Sequence, residues 1–260
     1  MRSFEDWNTV ENMNEVAGMS EITRKALGDP YYAPLAESAP EMLVGAGFID
    51  RPLAIDEKLN MLTLPLDAID EASEHEVSVI YYTGCFAPIH EGHVTAMRIA
   101  RETIEERTGE NVVLGVFAPD HDSYVSTKPG AEEYHAEARL QRAYEVTEHE
   151  SWMAVDSFPA RYAPCDLNFT TLLARFENFL RFHVPGKRVK VYFLFGGDNA
   201  EFANAFTVRG HGVGVLRPGA EVNYSRILPE ARVIFSEKVS TAHSSTEERA
   251  RIAREEVARA

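Results

Sequence analysis

From Val77 to the end of the chain, short β-branched or aromatic runs alternate with longer amphipathic stretches, and this alternation most limits what the chain can fold into. It predicts a parallel sheet with helices on both faces. VSVIYYTG reads as a first strand and GHVTAMRIARETIEERTG as its helix, followed by strand NVVLGVFAP and a helix in EEYHAEARLQRAYEVTEH. SWMAVDSF is a third strand, FTTLLARFENFLRF a helix, RVKVYFLFGGD a fourth strand, DNAEFANAF a short helix and HGVGVLRPG a fifth strand. ARVIFSE is a further strand candidate. SSTEERARIAREEVARA, with Glu247 three positions after Ser244, carries a capping-box signature for a terminal helix. The expected fold class is α/β, a Rossmann-like doubly wound parallel sheet of about five strands in residues 77–260. An acidic, mainly helical extension is expected in residues 1–76, with helices near Glu11 to Leu27 and Ala39 to Gly47.

Charge narrows the partners. The net charge is -15, and residues 1–76 account for -11 of it, from 5 Lys+Arg against 16 Asp+Glu. A surface this acidic repels phosphate backbones, which excludes a polynucleotide partner. No apolar run reaches membrane-spanning length, and the acidic start MRSFEDWNTVENMNE does not resemble a secretory signal, so a soluble cytoplasmic protein is expected. Cys85 and Cys165 lack CxxC spacing and read as free thiols.

The most informative stretch is YYTGCFAPIHEGHVTAMRIA, which sets His90 and His93 around Gly92 where the first strand gives way to its helix. In a doubly wound sheet, ligands bind beyond the carboxyl ends of the strands. Gly84 and Pro88 shape the turn, and Gly92 lets backbone approach a ligand at a helix N-terminus that favours phosphate. Two imidazoles donating to phosphoryl oxygens would stabilise charge growing at an attacked phosphorus. The plainer readings are a satisfied structural histidine or half of a zinc site, for which no third ligand is signalled. No metal-ligating residue is therefore assigned.

GCFAPIHEGH resembles the GxFxPxHxGH signature of the HxGH nucleotidyltransferase superfamily, and SSTEER resembles its second, SxTxxR-type motif. The resemblance is closest to bacterial nicotinate mononucleotide adenylyltransferases and covers most of residues 77–260. Lys128 in VSTKPG, Arg139 in EARLQRA, FGGDNAEFANAF and VGVLRPG fall in register with that family. The sequence departs from it at Ala87, where the family has Asp, at Phe206, where it has Trp, and in NFTTL, where only Thr171 and Leu172 of the pyridine-site motif remain.

The resemblance implies an adenylyltransferase that passes AMP from ATP, with Mg2+, to a phosphate monoester such as nicotinate or nicotinamide mononucleotide, releasing pyrophosphate. It implies His90, His93, Lys128 and Arg249 as catalytic groups. It further implies Gly84, Phe86, Gly92, Gly197, Asp198, Arg217, Ser244, Ser245 and Thr246 at the nucleotide, and Thr171 and Phe206 at the acceptor. Partners are then the small-molecule phosphate monoester and the nucleoside triphosphate, with no nucleic acid and no membrane; homo-oligomerisation stays open. Phe169, Phe176, Phe179 and Phe182 follow helical spacing and read as core. Pantetheine-phosphate adenylyl transfer, cytidylyl transfer, a catalytically silent nucleotide-binding regulator and an aminoacyl-tRNA synthetase fragment are the rival readings, the last disfavoured by acidity.

Overall fold

A computed structural model of the chain describes residues 64–131, 133–161, 163, 166–207, 210–241, 248–251 and 254. The helices expected within residues 11–47 lie outside the described residues. Six strands form one parallel sheet: β1 (Glu76–Gly84), β2 (Val112–Pro119), β3 (Met153–Val155), β4 (Arg188–Gly196), β5 (His211–Leu216) and β6 (Val233–Val239). Their order is β3-β2-β1-β4-β5-β6, and every pairing is parallel. This is the doubly wound order, one strand larger than the five expected because ARVIFSE pairs with β5.

Strand alternation sorts the core into two layers. On one face Val77, Val79 and Tyr81 of β1 pack with Leu114, Val191 and Phe193, covered by α1 (Asp67–Asp70) and α6 (Phe169–His183). On the other face Ile80, Phe117, Leu194 and Val213 pack under α2 (Glu91–Thr108) and α4 (Ala136–Thr147). Short helices α3 (Asp122–Val125) and α5 (Phe158–Arg161) fill the connections after β2 and β3. Leu64 and Ile69 are buried in the first layer, so the folded unit includes residues assigned to the extension from sequence.

Two local departures have physical causes. The third strand is only three residues long because Asp156 leaves the ladder: its amide still reaches Phe117 O, while its carboxylate receives the Phe158 amide and turns the chain into α5. The stretch after β4 is a 3-10 segment (Gly197–Thr207) kinked at Asn199, not an α-helix.

Candidate active site

The strand order reverses between β1 and β4, and a cleft of about 630 Å³ opens beyond their carboxyl ends. Tyr82 to Phe86 line one side and Phe193 to Gly196 the other; His93, Asp120, Lys128, Asp166, Phe169, Phe202 and Arg217 are among the other lining residues.

The loop after β1 holds the histidines through local backbone chemistry. Phe86 takes φ 43, a left-handed conformation, and buries its ring edge-on to His93 at 5.0 Å and to Phe117 at 5.5 Å. A Cβ at Gly84 would stand 3.1 Å from that ring, so glycine leaves room for Phe86 to fold back. His90 is the N-cap of α2: its Nδ1 accepts from the Gly92 amide at 3.1 Å, while the His90 amide donates to His93 Nδ1 at 3.2 Å. Each Nδ1 is therefore an acceptor, which leaves Nε2–H as the donor on each neutral ring. The rings lie 3.9 Å apart, tilted by 37°. Gly92 serves this packing first, since a Cβ there would meet the His90 ring and Thr241 Oγ1 at 2.9 Å.

Burial, followed by the neighbouring charges of His90 and Arg217, pushes the His93 imidazole well below its usual 6.5. It is a neutral hydrogen-bond donor at pH 7. Arg217, at the end of β5, lines the cleft and also a small recess shared with His90, His93, Gly196 and Ser240. Lys128 stands with its ammonium 4.5 Å from the Tyr124 ring centroid. Asp120 is pushed up to about 7 by burial and then by the nearby Asp166 carboxylate. Burial and Asp120 also push the Cys85 thiol up to about 11.

The chain on both sides of SSTE comes to the histidine loop. Thr241, just after β6, lies against Gly92, and Arg249 donates to Ala87 O at 2.7 Å and to Pro129 O at 3.2 Å. Ser244, Ser245 and Thr246 lie outside the described residues. Gly197 packs under Leu216, where a Cβ would meet Cδ2 at 2.8 Å; Asp198 is on the 3-10 segment, its side chain outside the described set.

The acceptor residues expected from sequence sit elsewhere. Phe206 is 1% exposed, packed with Phe193 and Phe195 in the core, and does not line the cleft. Phe202, one turn earlier and 40% exposed, lines it instead, edge-on to Phe169 at 5.0 Å. FANAF offers two rings four residues apart, and on a 3-10 segment of three residues per turn they point to different sides, so one reaches the cleft and the other the core. Thr171 is absent from the cleft lining; Asn168, which caps α6 by accepting from the Thr170 amide, is present. Sequence reasoning also passed over Asp120 and Asp166, which no motif marks.

The cytidylyltransferase-like family model matches residues 81–251, from the end of β1 to the helical residues after β6. The chain belongs to the cytidylyltransferase-like family. It is a nucleotidyltransferase, and its family region contains both histidines and Arg249. The solved structures similar to it include two of Plasmodium falciparum nicotinic acid mononucleotide adenylyltransferase. The one complexed with APC is 14% identical with TM-score 0.43, over 66% of this chain and 81% of that one. The one complexed with NaAD is 15% identical with TM-score 0.42, over 66% and 82%. The sheet order, not these distant likenesses, establishes the fold. No curated protein matches the chain. Among the described residues no helix is long and apolar enough to cross a membrane.

Proposed function

We propose that this nucleotidyltransferase moves AMP from ATP to a phosphate monoester, nicotinate or nicotinamide mononucleotide, with pyrophosphate leaving. The observation that carries the reading is convergence: His90, His93 and Arg217 meet beside the β1–β4 cleft, and Thr241 and Arg249 bring the flanks of SSTE to the same loop.

The acceptor phosphate oxygen attacks the α-phosphorus in line. One P–O bond forms as the bond to the bridging oxygen breaks, and the electron pair leaves with pyrophosphate. A phosphate oxyanion needs no general base, so the protein positions reactants and stabilises charge. His93 Nε2–H serves the transferring phosphoryl group, and His90 the triphosphate. Arg217, Arg249, Ser244, Ser245 and Thr246 serve the β- and γ-phosphates, with the backbone of Gly84, Gly92 and Gly197 beside the nucleotide. Lys128 answers the charge shared between the two substrates. Magnesium would enter with the nucleotide as part of the substrate and help to neutralise its phosphate charge; among the described residues no group of three or more His, Cys, Asp or Glu could hold it, and this ion commonly keeps several waters and binds through substrate phosphates. Phe202 and Phe169 offer the acceptor ring an aromatic wall in place of Phe206.

The test is incubation with ATP or CTP, magnesium and a panel of phosphate monoesters, reading pyrophosphate and product mass. Adenylylated mononucleotide is expected. A CMP adduct of an alcohol phosphate would replace this reading with cytidylyl transfer, which the family description favours as the second choice. No product with any acceptor would overturn both.

A further inference from the structure

Arg139, on α4, is wholly buried, an unusual place for a guanidinium. It spends its donors on three segments. Nε donates to Tyr134 O at 2.9 Å, Nη1 to Cys85 O at 3.0 Å, and Nη2 to Asp120 O and Asp122 Oδ1 at 2.7 Å each. Cys85 belongs to the loop that carries His90 and His93; Asp120 begins the loop that carries Lys128; both line the cleft. Burial pushes the Asp122 carboxyl up, yet the hydrogen bonds from Arg139 and the Ala136 amide hold it below its ordinary value, so the guanidinium faces a carboxylate at pH 7.

We infer that Arg139 is a positioning residue of this site: its guanidinium holds the loop after β1 and the loop after β2 at one separation, so that His93 and Lys128 meet the same bound substrates. The inference rests on the proposed function for what the site does, and on hydrogen-bond geometry for what Arg139 does. Beyond the end of the β1–β2 ladder the loops share one further backbone bond, Asp120 N to Gly84 O at 2.9 Å, and the next carbonyls out have no strand partner. A planar fork can satisfy two carbonyls and a carboxylate together, whereas a lysine offers one point charge on a flexible stem. Arg249 bridges the same loops farther out, from Ala87 O to Pro129 O. The loops are thus joined at two heights by arginines from different helices, the inner one sealed from water.

The test compares Arg139→Ala, Arg139→Lys and Arg139→Met with the parent, all in a Cys165→Ser background so that Cys85 is the single thiol. ATP affinity is read by calorimetry, kcat and KM for the acceptor by pyrophosphate release, and Cys85 exposure by its rate with an aromatic disulfide reagent at pH 8. Expected are a kcat at least about 30-fold lower, ATP affinity within about threefold, and a thiol rate about tenfold higher as Cys85 leaves its shielded setting. Millimolar ethylguanidinium should return part of kcat to Arg139→Ala, which a bulk loss of packing would not allow. A kcat within threefold of the parent with Cys85 still shielded would overturn the inference, as would ATP affinity falling in step with kcat without rescue. If the parent transfers no nucleotide, the proposed function falls, and Cys85 reactivity with ATP affinity still decides whether Arg139 holds the loops.

Discussion

The two edges of the sheet treat charge in opposite ways. At the amino edge, Glu110 accepts from Ser78 Oγ at 2.6 Å, from Tyr192 OH at 3.0 Å and from Lys190 Nζ, while Lys187 caps the Ala72 and Glu74 carbonyls. A groove of about 380 Å³ lies there, and Glu76 and Arg188 on its wall pair with each other. At the carboxyl edge, Lys128 and Arg217 line the larger cleft beside the neutral His93 and, among the described residues, neither cation has a carboxylate at ion-pair distance. The chain pairs these polar groups with one another at one edge and leaves two cations without an ion pair at the other, where the proposed function puts the ligand. Charge alone does not mark a site; charge that the chain does not itself neutralise does.

The largest test of that contrast is His93→Ala. Removing a preorganised donor should lower kcat by about 10² or more, roughly 3 kcal/mol in the barrier, read as pyrophosphate release. An unchanged kcat would remove His93 from the reaction. Arg217→Ala comes next, weakening ATP by about tenfold in calorimetry, the scale of a lost hydrogen bond between charged groups. At the other edge, Glu110→Gln should cost about 1 kcal/mol and lower Tm by a few degrees while ATP affinity holds, because the groups it serves belong to the fold. Burial pushes the Glu110 carboxyl up, but hydrogen bonds from Lys190, Ser78 and Tyr192 outweigh it and hold the group below 4.5. Its contribution is therefore complete above the unfolded carboxylate value and fades as pH falls through the folded one, so Glu110→Gln should flatten that acid limb.

The smallest effect concerns His211, which burial and then the Lys190 and Arg232 charges push down to about 4, against an opposing Glu110. The unfolded chain takes up that proton between about 6.5 and 4 while the folded chain does not. Stability from this group is full above 6.5 and falls as pH drops through that window. His211→Gln should reduce the slope of Tm against pH there, and an unaltered slope would disconnect His211 from acid sensitivity.

Legibility followed the same division. Strands β1, β2, β4 and β5 were readable because each is a run of β-branched or aromatic residues alternating between two buried faces. The histidine loop was readable because glycine, proline and histidine are packed into ten residues. What stayed hidden depends on distant partners. Asp156 and Arg175 form a wholly buried ion pair at 2.7 Å, with Tyr81 OH donating to the same carboxylate at 2.9 Å, and none of the three is distinguished locally. Arg139 was visible as one residue of a resembling helix, but its role depends on carbonyls 54 and 19 residues away. Phe202 and Phe206 are equivalent in composition, and the 3-10 winding of the segment that carries them turns one to the cleft and the other to the core.

By itself the sequence determined the alternation that makes a parallel sheet, the strand-to-helix junction that holds two imidazoles, and the net charge of -15. Those properties are local, set by which side chains a few consecutive residues carry. Tertiary structure decided which strands are neighbours, hence where the order reverses and the cleft opens, and which arginine meets which carbonyl. Such choices depend on closing loops across dozens of residues, and the free energy that selects among them lies in contacts that sequence neighbours do not make.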